Sequence, residues 1–200
     1  KALDYAFEEG INFFDTSNVY GDGHSEALIG QAFKKKRSQV LIATKVGLVK
    51  YGQATNFSIK NLSSSFEASL KRLQTDYVDI LQLHNPSLDS IEPIHKIQAW
   101  IDQLKNQGKV RAFGVSVRSP ADGLWVIDKL KVQSLQVNFN LLDHRVIDSG
   151  LVKSSAQNQV SLIARTPLCF GFLSGKLDTN ICFDKLDHRS RWPNQQINNW

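Results

Sequence analysis

Two hundred residues, 42% hydrophobic and 22% charged, make an ordinary globular composition and exclude a disordered or low-complexity chain. No apolar run approaches the ~20 residues that span a bilayer, and the N-terminal KALDYAFEEG lacks the basic-then-apolar layout of a signal peptide, so a cytoplasmic protein with no membrane partner is expected. The net charge of +5 would suit nucleic acid, with KKKR at Lys34 to Arg37 as its best support, but a helix end attracts such residues through its dipole alone, and a solvated helix end with no nucleic-acid partner is the expectation.

In chain order, INFFD (Ile11–Asp15) reads as a strand of interior residues that ends in an acid. After Ser25, the residues Leu28, Ile29, Ala32 and Phe33 form one helical stripe. VLIAT (Val40–Thr44) is a second strand and runs into Lys45. Behind the cap Ser58, the residues Ile59, Leu62, Phe66, Leu70 and Leu73 fall at helical spacing. VDILQL (Val78–Leu83) is a third strand and runs into His84. A further helix carries Ile94, Ile97, Ile101 and Leu104 and stops before Gly108. VRAFGVS (Val110–Ser116), LQVNF (Leu135–Phe139) and VSLIA (Val160–Ala164) complete the strands.

Each strand is apolar nearly throughout, as strands buried on both faces are, which predicts a parallel sheet covered by helices. With no linker or composition break, residues 1–200 read as one domain. Repeated strand–helix units suit a doubly wound sheet or a (β/α)8 TIM barrel of which about six of the eight units are present. The first would carry a Gly-rich fingerprint after its first strand, and DTSNVYGDG is not one, so the barrel is preferred. Cys169 and Cys182, the two cysteines, show no disulfide framework and no metal-ligand spacing, and no metal is expected.

In a barrel the C-terminal strand ends converge on one mouth. That rule gathers Asp15, Lys45, His84, Ser116, Gln136 and Asn138, with Tyr20 on the loop past the first strand. Taken singly, each is more often a cap, a turn former or a packing residue. Taken together they describe chemistry. A buried Lys needs an acid to stay charged, and a Lys⁺ beside a phenol favours the phenolate, drawing the tyrosine's pKa down from about 10. A Tyr–Lys–Asp chain beside a His is a proton donor for an oxygen that becomes an alkoxide.

FFDTSNVYG, ATKVG and LQLHNP, followed in order by QVNFNLLD (Gln136–Asp143) and PLCFGFLSGK (Pro167–Lys176), resemble the signature segments of the aldo-keto reductase superfamily over essentially the whole chain. The resemblance implies that Asp15, Tyr20, Lys45 and His84 form the catalytic tetrad, and that hydride passes from NADPH, or from NADH, to a small aldehyde or ketone while Tyr20 supplies the proton. It implies that Ser116 and Gln136 hold the nicotinamide carboxamide, that Arg165 packs on the nicotinamide, and that Thr166, Pro167, Leu168, Gly171 and Lys176 embrace the pyrophosphate. Asn85, Pro86 and Trp192 would wall the substrate. Val117 stands where many members carry Asn. The chain has no methionine, and the superfamily's first strand, last strand and 2′-phosphate segment would fall outside it, so it reads as a piece of a longer frame. Two other functions remain open: a cofactor-binding regulatory subunit resembling potassium-channel β subunits, and a phosphate-binding barrel lyase or isomerase that uses Lys45 as a Schiff-base amine.

Overall fold

The computed structural model describes residues 1–50, 55–91, 93–177, 181–185 and 187–193. Its elements are α1 (Ala2–Glu8), β1 (Phe13–Asp15), α2 (His24–Phe33), β2 (Leu41–Val46), α3 (Ile59–Leu73), β3 (Val78–His84), α4 (Ile94–Asn106), β4 (Val110–Ser116), α5 (Pro120–Lys129), β5 (Ser134–Asn138), α6 (Arg145–Asp148), α7 (Leu151–Gln157) and β6 (Ser161–Arg165). The strands form one sheet in the order β1-β2-β3-β4-β5-β6. Every neighbouring pair is parallel. Parallel strands laid down in sequence order, with helices between them, are the winding of a (β/α)8 barrel, and these six strands are part of one.

Register aligns the functional ends. His84 pairs with Ser116 and Ser116 with Gln136, while Asn138 pairs with Arg165 two residues further on, so the C-terminal ends of β3 to β6 lie side by side. The core lies between sheet and helices and includes Phe33, Ile42, Leu62, Phe66, Leu81, Phe113 and Leu135. Helix α3 shows why these segments are helical. Ser58 Oγ accepts from the Asn61 N–H, Leu62, Phe66, Leu70 and Leu73 are buried, and Lys71 and Arg72 sit in the last turn, where the dipole favours cations.

Several expectations need correction. The first strand begins at Phe13, and Ile11 is 53% exposed. Helix α2 begins at His24 behind Gly23, whose φ is 90°, because the Ser25 hydroxyl is engaged by Thr16 Oγ1 at 2.8 Å. Its inner face is Glu26, Ile29, Gly30 and Phe33, while Leu28 is 44% exposed. Burial on both faces describes most of β2 to β5 but fails at β6, where Ser161 and Ala164 are exposed beside half-buried Leu162 and Ile163. An edge strand has a neighbour on one side alone.

The basic run also divides. Lys34 and Lys35 are exposed, and Lys36 Nζ lies 4.9 Å from the Phe7 ring centre. Arg37, 11% exposed, turns inward. It donates to the Val40 carbonyl at 2.8 Å, the Tyr77 carbonyl at 3.2 Å and Asp79 Oδ2 at 2.7 Å, and its guanidinium lies 3.9 Å from the Tyr77 ring centre. Arg111 takes the other oxygen of Asp79 at 2.7 Å. A carboxylate buried near the start of β3 requires such cations. Among the described residues, no helix is long and apolar enough to cross a membrane and no cluster of His, Cys, Asp and Glu could hold a metal ion.

Candidate active site

Lys45, fully buried near the end of β2, organises the mouth. Its Nζ donates to Asp15 Oδ2 at 2.5 Å, to the Thr16 carbonyl at 2.8 Å and to the Tyr20 hydroxyl at 3.4 Å. Three N–H groups thus meet three acceptors. The second oxygen of Asp15 accepts from Gln82 Nε2 at 3.2 Å and Gln136 Nε2 at 3.0 Å. One carboxylate therefore ties β1 to β2, β3 and β5. Burial pushes the Lys45 ammonium below the ordinary lysine pKa, against the pull of Asp15, and the charge of Arg165 adds to the depression.

The turn after β1 delivers Tyr20. The Tyr20 N–H donates to the Ser17 carbonyl at 3.1 Å, Ser25 N–H returns to the Tyr20 carbonyl at 3.2 Å, and Val19 is buried beneath. Gly23 is needed here for its left-handed φ and because a Cβ would stand 2.6 Å from Arg72 Cδ. That Arg72 donates to Glu26 at 2.7 Å, and Glu26, fully buried, accepts from Thr44 Oγ1 at 2.5 Å, which braces the strand carrying Lys45 from behind.

His84, the last residue of β3, stands edge-on to Tyr20 with ring centres 5.9 Å apart at 89°. Its Nδ1 is 3.0 Å from Ser17 Oγ. Burial, with the charges of Lys45 and Arg165, pushes its pKa down to about 3, so the imidazole is neutral near pH 7. Asn85 follows with φ 50°, a left-handed conformation that Asn tolerates, and turns the chain away from the strand.

A second cluster adjoins the tetrad. Ser116 Oγ donates to Asn85 Oδ1 at 3.0 Å and lies 3.5 Å from Gln136 Oε1. From β6, Arg165 donates to Asn138 Oδ1 and Asn85 Oδ1, each at 2.8 Å, and to Ser116 Oγ and the Val117 carbonyl, each at 3.2 Å. Thr166 Oγ1 is 3.2 Å from Asn138 Oδ1. Pro167, Leu168, Gly171 and Lys176 belong to the loop beyond, with Leu168 and Lys176 exposed. In that loop Thr166, Cys169, Phe170 and Gly171 all have positive φ, and Trp192 packs on Phe170 and Phe172 at 5.0 and 6.3 Å between ring centres.

This donor set suits a nicotinamide. A carboxamide offers one acceptor and an NH2, and Ser116, Asn85 and Gln136 present hydroxyl and amide groups of both kinds within one hydrogen-bonded cluster. In the loop beyond, the Cys169 and Gly171 N–H groups donate to the Thr166 and Leu168 carbonyls, each at 2.9 Å, and Lys176 is the exposed cation that could meet a phosphate. The structure thus unites all four strand-end chemical groups, Tyr20, and the amide cluster. Sequence reasoning passed over Ser17 and Gln82. Gln82 was findable, since a strand that points His84 into the mouth points the residue two before it the same way.

The model of the aldo/keto reductase family matches residues 1–199. Aldo-keto reductase YhdN of Bacillus subtilis is 33% identical over 195 residues, covering 96% of this chain and 58% of the relative. Aldo-keto reductase yakc [NADP(+)] of Schizosaccharomyces pombe is 29% identical, covering 99% and 60%, and NADH-specific methylglyoxal reductase of Escherichia coli is 31% identical, covering 84% and 56%. The solved holo form of aldo-keto reductase AKR11C1 from Bacillus halodurans superposes with a TM-score of 0.81 at 30% identity, covering 92% of this chain and 62% of that one. The chain spans about three fifths of these relatives' length. By its family match, its strand order and its relatives, this chain belongs to the aldo/keto reductase family.

Proposed function

We propose that this chain carries the reactive centre of an NADPH-dependent oxidoreductase that reduces small aldehydes or ketones to alcohols, with Tyr20 as the proton donor. The observation that carries the reading is Lys45 Nζ, shared between Asp15 and the Tyr20 hydroxyl beneath a neutral His84. A nicotinamide, when bound, supplies the hydride to the carbonyl carbon. Tyr20 gives its phenolic proton to the carbonyl oxygen and keeps the bonding pair. Lys45 donates a hydrogen bond to the phenolic oxygen left charged, and Asp15 holds that ammonium in place. Asn85, Ser116, Gln136 and Arg165 orient the nicotinamide, the loop Thr166 to Lys176 takes its phosphates, and Asn85, Pro86 and Trp192 face the substrate.

Relatives are named for NADP(+) and for NADH, so either dinucleotide is compatible with membership, and NADPH is the form proposed. We place residues 1–200 within a single barrel domain acting in the cytoplasm. Schiff-base chemistry is disfavoured because Lys45 Nζ is fully buried and held by Asp15, the Thr16 carbonyl and the Tyr20 hydroxyl. The test is oxidation of NADPH by a reactive aldehyde, comparing the protein with Tyr20→Phe. The variant should bind cofactor as before and lose about 10²–10⁴-fold in the chemical step, as removal of a general acid does. A variant within about threefold of the parent would remove Tyr20 from the mechanism.

A further inference from the structure

We propose, resting on the reductase reading, that the Arg165 guanidinium makes this site select the reduced nicotinamide over the oxidised one, by fixing a positive charge beside the ring that becomes positive when it gives up hydride. Half-buried at the end of β6, Arg165 reaches across the mouth to the ends of three other strands. Its Nη1 donates to Asn85 Oδ1 at 2.8 Å and to Ser116 Oγ at 3.2 Å, its Nη2 to the Val117 carbonyl at 3.2 Å, and its Nε to Asn138 Oδ1 at 2.8 Å. These four bonds hold the planar fork in one place. Every oxygen that accepts in them is neutral, so they position the cation without cancelling its charge.

Asn85, Ser116 and Gln136 are the groups suited to a carboxamide, and two of the three are bonded to Arg165. A nicotinamide carboxamide is attached directly to its ring, so a ring held by this cluster has the guanidinium as a neighbour. Arg165 need not move aside. Among the described residues Asn85 Nδ2 has no hydrogen-bond partner, and Gln136 Oε1 has Ser116 Oγ alone, at 3.5 Å, so a donor and an acceptor stay open with Arg165 in place. Lys45, also a cation, is paired with Asp15 at 2.5 Å. Burial first, and the charge of Arg165 with it, depress the pKa of both Lys45 and His84, so the field of the guanidinium reaches the groups around the reacting oxygen.

The two forms of the dinucleotide carry the same phosphates and the same carboxamide. They differ at the ring, which is neutral when reduced and positive once hydride has left with its electron pair. Phosphate and carboxamide contacts therefore cancel in the ratio of the two affinities, and the charge beside the ring remains. Like charges a few ångströms apart in a half-buried site are worth roughly tenfold in binding even at a high effective dielectric. NADPH is thus captured ahead of NADP⁺ from a mixed pool, and NADP⁺ leaves readily after turnover.

Calorimetric titration of the protein with NADPH and with NADP⁺ reads both affinities without turnover. The parent should prefer NADPH. Arg165→Gln, which keeps a hydrogen-bonding side chain and removes the charge, should bring the two affinities closer by roughly tenfold. Arg165→Lys, which keeps the charge and loses the fork, should weaken both nucleotides and retain most of the gap. Lys176→Gln, at the proposed phosphate end, should weaken both by one factor and leave the ratio as it was. Inhibition of aldehyde reduction by NADP⁺ should strengthen in Arg165→Gln in step with the titrations. A parent that prefers NADP⁺, a ratio unchanged in Arg165→Gln, or a gap lost equally in Arg165→Lys and Arg165→Gln overturns the inference. A parent that binds neither nucleotide would instead overturn the reductase reading on which it rests.

Discussion

At the scale of single residues, the mouth holds a cation and an imidazole that water would treat very differently. His84 keeps its proton off until pH about 3, against an ordinary value of 6.5. Between those values the unfolded chain binds the proton and the folded one does not, so the stability His84 confers is complete above pH about 6.5 and is lost as pH falls toward 3, at up to about 1.4 kcal/mol per pH unit. The gap in urea midpoint between the protein and His84→Gln should therefore narrow from pH 7 to pH 4. Parallel curves would mean that His84 is readily protonated in the fold. Such residues were legible because four apolar strands run directly into Asp15, Lys45, His84 and Ser116. Ser17 was not. A serine two positions beyond a strand-end acid is the commonest kind of turn residue, and its contact with His84 spans 67 positions of sequence.

Among the elements, helices with full stripes, such as α3 and α4, were plain from spacing. Helix α5 was passed over although Ser119, Pro120 and Asp122 spell a capping box with proline at its start. Edge exposure had no local signal, since Leu162 and Ile163 in β6 are of the same kinds as residues in the buried strands and are half-covered where, among the described residues, β5 is the one strand beside them. Arg37 carries the clearest prediction at this scale. It joins the short turn before β2 to the start of β3, and Arg37→Met would keep the stem's packing while leaving Asp79, 5% exposed at its side chain, with Arg111 as its remaining cation. A cost of about 2–3 kcal/mol in denaturant unfolding is expected, below the full penalty of a broken buried pair because Arg111 stays. Carbonyl reduction should persist in the variant, because this cluster sits at the opposite strand ends from Lys45. An unfolding midpoint equal to the parent's would show that Arg111 alone suffices.

Across the described residues, the candidate site occupies the C-terminal ends of the strands and a carboxylate clamp the N-terminal ends. Among the described residues the outer strands of the sheet are β1 and β6, and apolar side chains at Leu141, Leu142, Ile147 and Leu168 are exposed. Residues 1–200 prepared as such should self-associate, because open parallel edges and apolar patches seek partners. Light scattering should give a mass that rises with concentration, whereas a concentration-independent monomer with a sharp melt would show that the edges are tolerated. Strand order has one more consequence, which concerns synthesis. Each strand pairs with the one made just before it, so a chain leaving the ribosome always finds an edge already laid down. Asp15, however, waits for Gln136, 121 residues later, to complete its hydrogen bonds. A nascent chain can therefore gather its early sheet, with Lys45 and His84 in it, before the strand that completes the hydrogen bonds of Asp15 has been made.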